Sequence, residues 1–188
     1  MTAESLLRHI TEMLESAEIP YMVTGSFASS LHGRPRATQD LDLVIAPSEP
    51  KLERLLADIS GSQYYVDREA ALEALRSRDQ FNIIEPATGW KVDLIVKKAR
   101  PFSQTEFDRR SPAEVQGSRV FVASAEDVLI AKLEWAKRGG SERQIEDAAG
   151  ILQIRGAEID RGYVLEWVGQ LGLNQQWTAA CRMAGLLG

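Results

Sequence analysis

Val23-Thr24-Gly25-Ser26-Phe27-Ala28-Ser29-Ser30-Leu31-His32-Gly33-Arg34-Pro35-Arg36-Ala37-Thr38-Gln39-Asp40-Leu41-Asp42-Leu43-Val44-Ile45 is the stretch that decides how this chain is read. Tyr21 to Thr24 is a short apolar strand halted at Gly25. Phe27 to His32 can form a short helix closed by Gly33, and Arg34 to Gln39 is a loop. Leu41 to Ile45 is a second strand, ending before Pro47. In a strand, residues i and i+2 point to the same face, so Asp40 and Asp42 share one face while Leu41, Leu43 and Ile45 share the other. The apolar set can be buried while the carboxylates converge, their Cα atoms about 6.5–7 Å apart. Two like charges held together are unfavourable unless a cation or proton joins them. Oxygen-only ligands suit Mg²⁺ or Mn²⁺.

Working outward, Lys91-Val92-Asp93-Leu94-Ile95-Val96 repeats the pattern, with Val92, Leu94 and Val96 on one face and Asp93 on the other. It follows Phe81 to Ile84 across a turn at Pro86 to Gly89, as in a hairpin. If the Asp93 strand lies beside Asp40-Leu41-Asp42, three carboxylates line one site. That arrangement serves two-metal, in-line displacement at phosphorus, and one carboxylate can accept the proton of an attacking hydroxyl. Gly25 lets backbone approach a ligand closely, Ser26 adds a hydroxyl, and the helix N-terminus offers free N–H groups to phosphate. Arg34 and Arg36 stand ready to pair with a polyphosphate. Each of these features alone has an ordinary structural explanation: a turn glycine, an N-cap serine, a solvated strand end. Their order along the chain is what carries the chemistry.

In that order they resemble the DNA polymerase β-like nucleotidyltransferase superfamily, whose signature is a Gly-Ser turn, a spacer, Asp-x-Asp and a later third Asp. Arg36-x-Thr38-x-Asp40 is similar to the stand-alone branch containing abortive-infection and MenT-like toxins. The catalytic likeness spans roughly residues 1–100. It implies that Asp40 and Asp42 hold metal ions and the triphosphate, that Asp93 holds the catalytic metal and helps deprotonate the acceptor, and that Gly25 and Ser26 bind the β- and γ-phosphates. A nucleoside monophosphate would pass from an NTP to a hydroxyl with release of pyrophosphate. A second likeness, to the same branch, lies in Ser124-Ala125-Glu126-Asp127 through Lys132 and in Arg143 to Asp147. It implies a triphosphate contact for Lys132 and an orienting role for Asp147. The plainer readings are a surface lysine and a surface i, i+4 pair.

Beyond this stretch, Met1 to Ala17 and Glu49 to Ile59 read as amphipathic helices, Tyr64 to Val66 as a strand and Arg68 to Leu75 as a helix. Arg119 to Ala123 reads as the last strand. Four helices follow, over 125–137, 143–154, 161–171 and 174–187, with Trp135, Trp167 and Trp177 expected in their core. His32 is expected to pack or cap. Lys97, Lys98, Arg100, Arg109 and Arg110 form a basic cluster that could guide an RNA backbone. The expected fold is α+β: a mixed twisted sheet flanked by helices over residues 1–123, then a helical bundle over 124–188, with NTP and two ions in the cleft between.

The 188 residues include 22 basic and 27 acidic side chains, a net charge of −5, which argues against an unspecific nucleic-acid coat. A hydrophobic fraction of 44% excludes a disordered chain. One cysteine and two histidines exclude an internal disulfide and a Cys/His metal site. The chain shows no run of about 18 apolar residues and opens on MTAESLLRHI, without a secretory pattern, so no membrane association and a cytoplasmic location are expected. The acceptor is expected to be tRNA or a protein, in a toxin whose partner is a cognate antitoxin. A small-molecule antibiotic acceptor and a non-catalytic, antitoxin-like nucleotide- or partner-binding module are the alternatives. A dehalogenase-type phosphatase motif fits poorly, because there the apolar strand precedes the nucleophilic aspartate. A glycosyltransferase Asp-x-Asp leaves Gly25-Ser26 and Asp93 unexplained.

Overall fold

A computed structural model describes residues 3–35, 40–115 and 117–186. Arg36 and Thr38, both part of the sequence motif, lie outside the described residues. The chain divides into two compact units, Met1–Thr24 with Thr38–Val122, and Gly25–Ala37 with Ala123–Gly188.

The first unit is built on a mixed sheet. Its strands are β1 (Tyr21–Thr24), β2 (Asp40–Ile45), β3 (Tyr65–Val66), β4 (Gln80–Glu85), β5 (Trp90–Val96), β6 (Ser111–Val115) and β7 (Ser118–Val122), in the order β3-β4-β5-β2-β1-β7-β6. β2 runs parallel to β5 and β1 parallel to β7; the other neighbours are antiparallel. Period-two patterning sets the register. Leu41, Leu43 and Ile45 of β2, Val92, Leu94 and Val96 of β5, and Phe81 and Ile83 of β4 are all buried. A slip of one residue would drive every one of them to the opposite face. The apolar sides of α1 (Ala3–Ser16) and α3 (Glu49–Ser60) complete this core with Leu6, Leu7, Ile10 and Leu14, and with Leu52, Leu55, Leu56 and Ile59. Between α3 and β4 lies α4 (Arg68–Ser77), whose Asp67 side chain caps it by accepting from Ala70 N at 3.0 Å.

Two elements depart from the sequence expectation. α5 (Pro101–Asp108) starts with proline at its first turn and buries Phe102 and Phe107. β6 pairs with β7 at one sheet edge, where Pro112 is tolerated because an edge strand need not donate every N–H. The basic residues through this stretch hide the apolar spacing of α5, and Pro112 hides β6.

The second unit is helical: α2 (Gly25–His32), α6 (Ala125–Gly139), α7 (Glu142–Arg155), α8 (Arg161–Leu171) and α9 (Asn174–Met183). Ser124 caps α6, its Oγ accepting from Asp127 N at 3.1 Å and donating to Asp127 Oδ2 at 2.7 Å. Asp160 caps α8 through Tyr163 N at 3.0 Å. The end of α2 crosses α7 so closely that a Cβ on Gly33 would stand 3.0 Å from Ile151 N and 3.1 Å from the Gly150 carbonyl carbon. Trp167 is buried as expected, but Trp135 is 56% exposed, its ring under the Arg138 guanidinium at 5.7 Å. It lies off the buried side of α6, which Leu129, Leu133 and Ala136 occupy. Among the described residues no helix is long and apolar enough to cross a membrane.

Candidate active site

In the first unit the carboxylates are placed by sheet register. Asp42 lies directly across from Asp93 on the parallel neighbour, and Asp40 directly across from Lys91. Side chains at paired positions of parallel strands point the same way, and adjacent strands lie about 4.8 Å apart. Asp40, Asp42, Asp93 and Lys91 therefore share one face, opposite the buried leucines and valines. Thr24 on β1 and Asn82 on β4 extend the Asp42–Asp93 row in both directions. Exposure is graded along the face: Asp40 is exposed, Asp42 intermediate and Asp93 9% exposed.

Lys91 Nζ lies 3.0 Å from Asp93 Oδ1. That oxygen is buried, so the ammonium beside it offsets a charge that water does not reach. The Asp93 carboxylate is the main influence holding the Lys91 pKa above its usual value. Burial opposes it, and the charges of Asp93, Asp40 and Asp42 add to it. Taken along its own strand, Lys91 marks only where β5 begins. The rule that groups Asp40 with Asp42 also groups Lys91 with Asp93, and that is the signal by which the sequence places it.

Among the described residues no set of three or more His, Cys, Asp or Glu side chains stands gathered to hold a metal ion. The chemistry of the face nevertheless fits a hard divalent cation. Its donors are carboxylate oxygens at neighbouring register positions, and one of them, Asp93 Oδ1, already draws a cation, the Lys91 ammonium, to 3.0 Å.

The second unit holds the remaining candidates. The chain leaves β1 at Thr24 and enters α2 at Gly25, whose φ of 63° lies in the left-handed region that favours glycine. Ser26 follows in the first turn of α2. Lys132 on α6 is buried, with its Nζ 2.7 Å from Asp147 Oδ2 on α7 and 3.4 Å from Ser26 Oγ. Lys132 is thus no surface lysine, and Asp147 carries the bond to it. Asp147 also lines a cavity of about 340 Å³ with Arg34, Glu146 and Gln153. His32 is half-buried, with Nε2 2.7 Å from the Ala123 carbonyl oxygen, which places the proton on Nε2 as donor. Burial pushes its pKa down. The Ala123 carbonyl opposes that shift, Arg155 adds to it, and Glu126 opposes it.

No protein-family model matches the chain, and no curated protein matches it in sequence. Solved structures do match its fold. An antigenic nucleotidyltransferase-like protein from Paracoccidioides brasiliensis superposes with a TM-score of 0.57 at 19% identity, over 94% of this chain and 91% of that one. The antibiotic-resistance factor ANT(2'')-Ia gives a TM-score of 0.59 at 14% identity, over 93% and 96%. The lincosamide antibiotic adenylyltransferase LnuA, bound to lincomycin, gives 0.57 at 11% identity, over 82% and 98%. The chain has the mixed α/β fold of nucleotidyltransferase-like proteins.

Proposed function

We propose that this chain is a metal-dependent nucleotidyltransferase that moves a nucleoside monophosphate from an NTP to a hydroxyl acceptor. The observation that carries the proposal is the shared face of Asp40, Asp42 and Asp93, with Asp42 directly across from Asp93. Asp40 and Asp42 would hold Mg²⁺ or Mn²⁺ with the triphosphate, and Asp93 would hold the catalytic ion. Ions held there would supply Lewis-acid stabilisation of charge developing on the phosphoryl oxygens. Asp93 takes the proton of the acceptor hydroxyl, whose oxygen bonds to the α-phosphorus as pyrophosphate leaves. Gly25, Ser26, Arg36 and Lys132 bind the phosphates. The N-terminal end of α2 favours an anion, and Lys132 Nζ lies 3.4 Å from Ser26 Oγ in its first turn.

Two acceptor classes stand on equal footing. A tRNA or protein acceptor goes with a toxin role, a cytoplasmic setting and a cognate antitoxin, and the Arg36-x-Thr38-x-Asp40 context favours it. A small-molecule antibiotic acceptor is favoured by the structural neighbours. One of them is an antibiotic-resistance factor by name and another a lincosamide antibiotic adenylyltransferase, and a structure of ANT(2'')-Ia holds adenylyl-2''-tobramycin. The cavity of about 340 Å³ beside Asp147 is of small-ligand size. The test is transfer from each α-labelled NTP, with Mg²⁺, onto total RNA, protein lysate and a panel of aminoglycosides and lincosamides. Label on one acceptor class with the wild type, and none with Asp40→Ala/Asp42→Ala, is the expected result. No label on any class, despite measurable NTP binding, would leave a binding module instead.

A further inference from the structure

Three carboxylates share one face of the first unit, and Lys91 brings a positive charge within reach of them there. It sits two residues before Asp93 and directly across from Asp40, so its stem rises from the face that carries all three. Its ammonium stands 3.0 Å from Asp93 Oδ1, a buried oxygen. A buried carboxylate oxygen is costly unless a cation or donor stands beside it, and Lys91 supplies that cation here. The side chain of Lys91 is 40% exposed while that of Asp93 is 13% exposed. The lysine can therefore swing into water while the carboxylate stays in place.

We propose that Lys91 is a displaceable resident cation of the carboxylate face: it neutralises Asp93 while no divalent ion is bound, and an entering divalent ion must expel it. The inference rests on reading the face as a metal site. Lys91 then acts through Asp93 as a positioning residue. It holds the carboxylate in its rotamer and lowers the repulsion among the three acids in the ion-free protein. In doing so it opposes the ion, because both cations need the same oxygen.

The experiment is Mn²⁺ binding to the intact chain, by calorimetry and by electron paramagnetic resonance of free Mn²⁺. The proteins compared are wild type, Lys91→Gln, Lys91→Met, Lys91→Arg, Lys98→Gln and Asp42→Asn. Removing a competing charge at the exposed edge of a site should tighten Mn²⁺ binding about three- to tenfold in Lys91→Gln and Lys91→Met. The melting temperature in EDTA should fall for both neutral variants, so the gap between EDTA and saturating Mn²⁺ widens. Lys91→Arg should behave as wild type in both measurements. Lys98→Gln, which makes the same net charge change, should leave the affinity within about twofold. Unchanged or weaker Mn²⁺ binding in Lys91→Gln and Lys91→Met would overturn the proposal, as would an equal gain in Lys98→Gln. If wild type binds Mn²⁺, Asp42→Asn does not, and the Lys91 variants match wild type, the metal site stands and the displaceable cation falls. If no protein in the set binds Mn²⁺, both fall together.

Discussion

The two compact units handle charge in opposite ways. In the first, backbone register gathers carboxylates on a graded face, and the partly exposed Lys91 pairs with Asp93 at 3.0 Å. In the second, a buried lysine and a largely buried aspartate satisfy each other at 2.7 Å. The first arrangement sets carboxylates at neighbouring register positions on one face of the sheet. The second is already neutral and is held by helix packing. The difference separates like charges gathered on one sheet face from opposite charges paired between two helices, and it fixes how each should respond to mutation.

The largest effect should come from breaking the closed pair. Asp147→Ala leaves the Lys132 ammonium buried without its partner and should lose about 3–5 kcal/mol in chemical denaturation. The double variant Lys132→Met/Asp147→Ala should recover most of that loss, because a buried pair replaced by apolar groups is close to neutral. A double variant as unstable as the single one would show that Asp147 supports the unit by some means other than neutralising Lys132. Next is the cap of α6. Ser124→Ala removes the acceptor for Asp127 N and should lower stability by about 1 kcal/mol.

A smaller loss should follow pH through His32. Its pKa in the folded chain lies below the ordinary histidine value, so the unfolded chain takes up the proton first. Stability is then fully present above about pH 6.5 and declines as pH falls from there toward the folded value. Comparing denaturation midpoints at pH 7.5 and 5.5 should show a decline that is smaller in His32→Gln. An equal decline in both proteins would assign it to other groups. The smallest effect should come from the open face: Asp42→Asn removes one of three like charges and should shift stability by no more than about 0.5 kcal/mol.

The open face is also the more legible of the two in the sequence. Leu41, Leu43 and Ile45, and Val92, Leu94 and Val96, carry a period of two that by itself assigns each aspartate to a face. Only the pairing of β2 with β5 is needed to bring Asp93 opposite Asp42. The closed pair is not legible in the same sense. Lys132 and Asp147 lie on different helices, and periodicity alone does not fix how α6 and α7 rotate about each other. A likeness to other sequences points to both residues, but spacing cannot join them. Trp135 misleads for a related reason, since an aromatic at helical spacing meets the solvent side when the apolar stripe is shifted by one position. The helix α5 and strand β6 are hidden because lysines and arginines surround Phe102 and Phe107, and because proline argues against a strand wherever its position in the sheet is unknown.

The most direct measurement is single-turnover transfer from an α-labelled NTP by Asp42→Asn, set beside its denaturation curve and that of the wild type. Wild-type stability with transfer reduced by at least about a thousandfold is the expected result, because the proposed function makes Asp42 a ligand of an ion-dependent step and its loss leaves the fold in place. Transfer within a few-fold of wild type by a fully folded Asp42→Asn protein would contradict the assignment of the carboxylate face as the catalytic site.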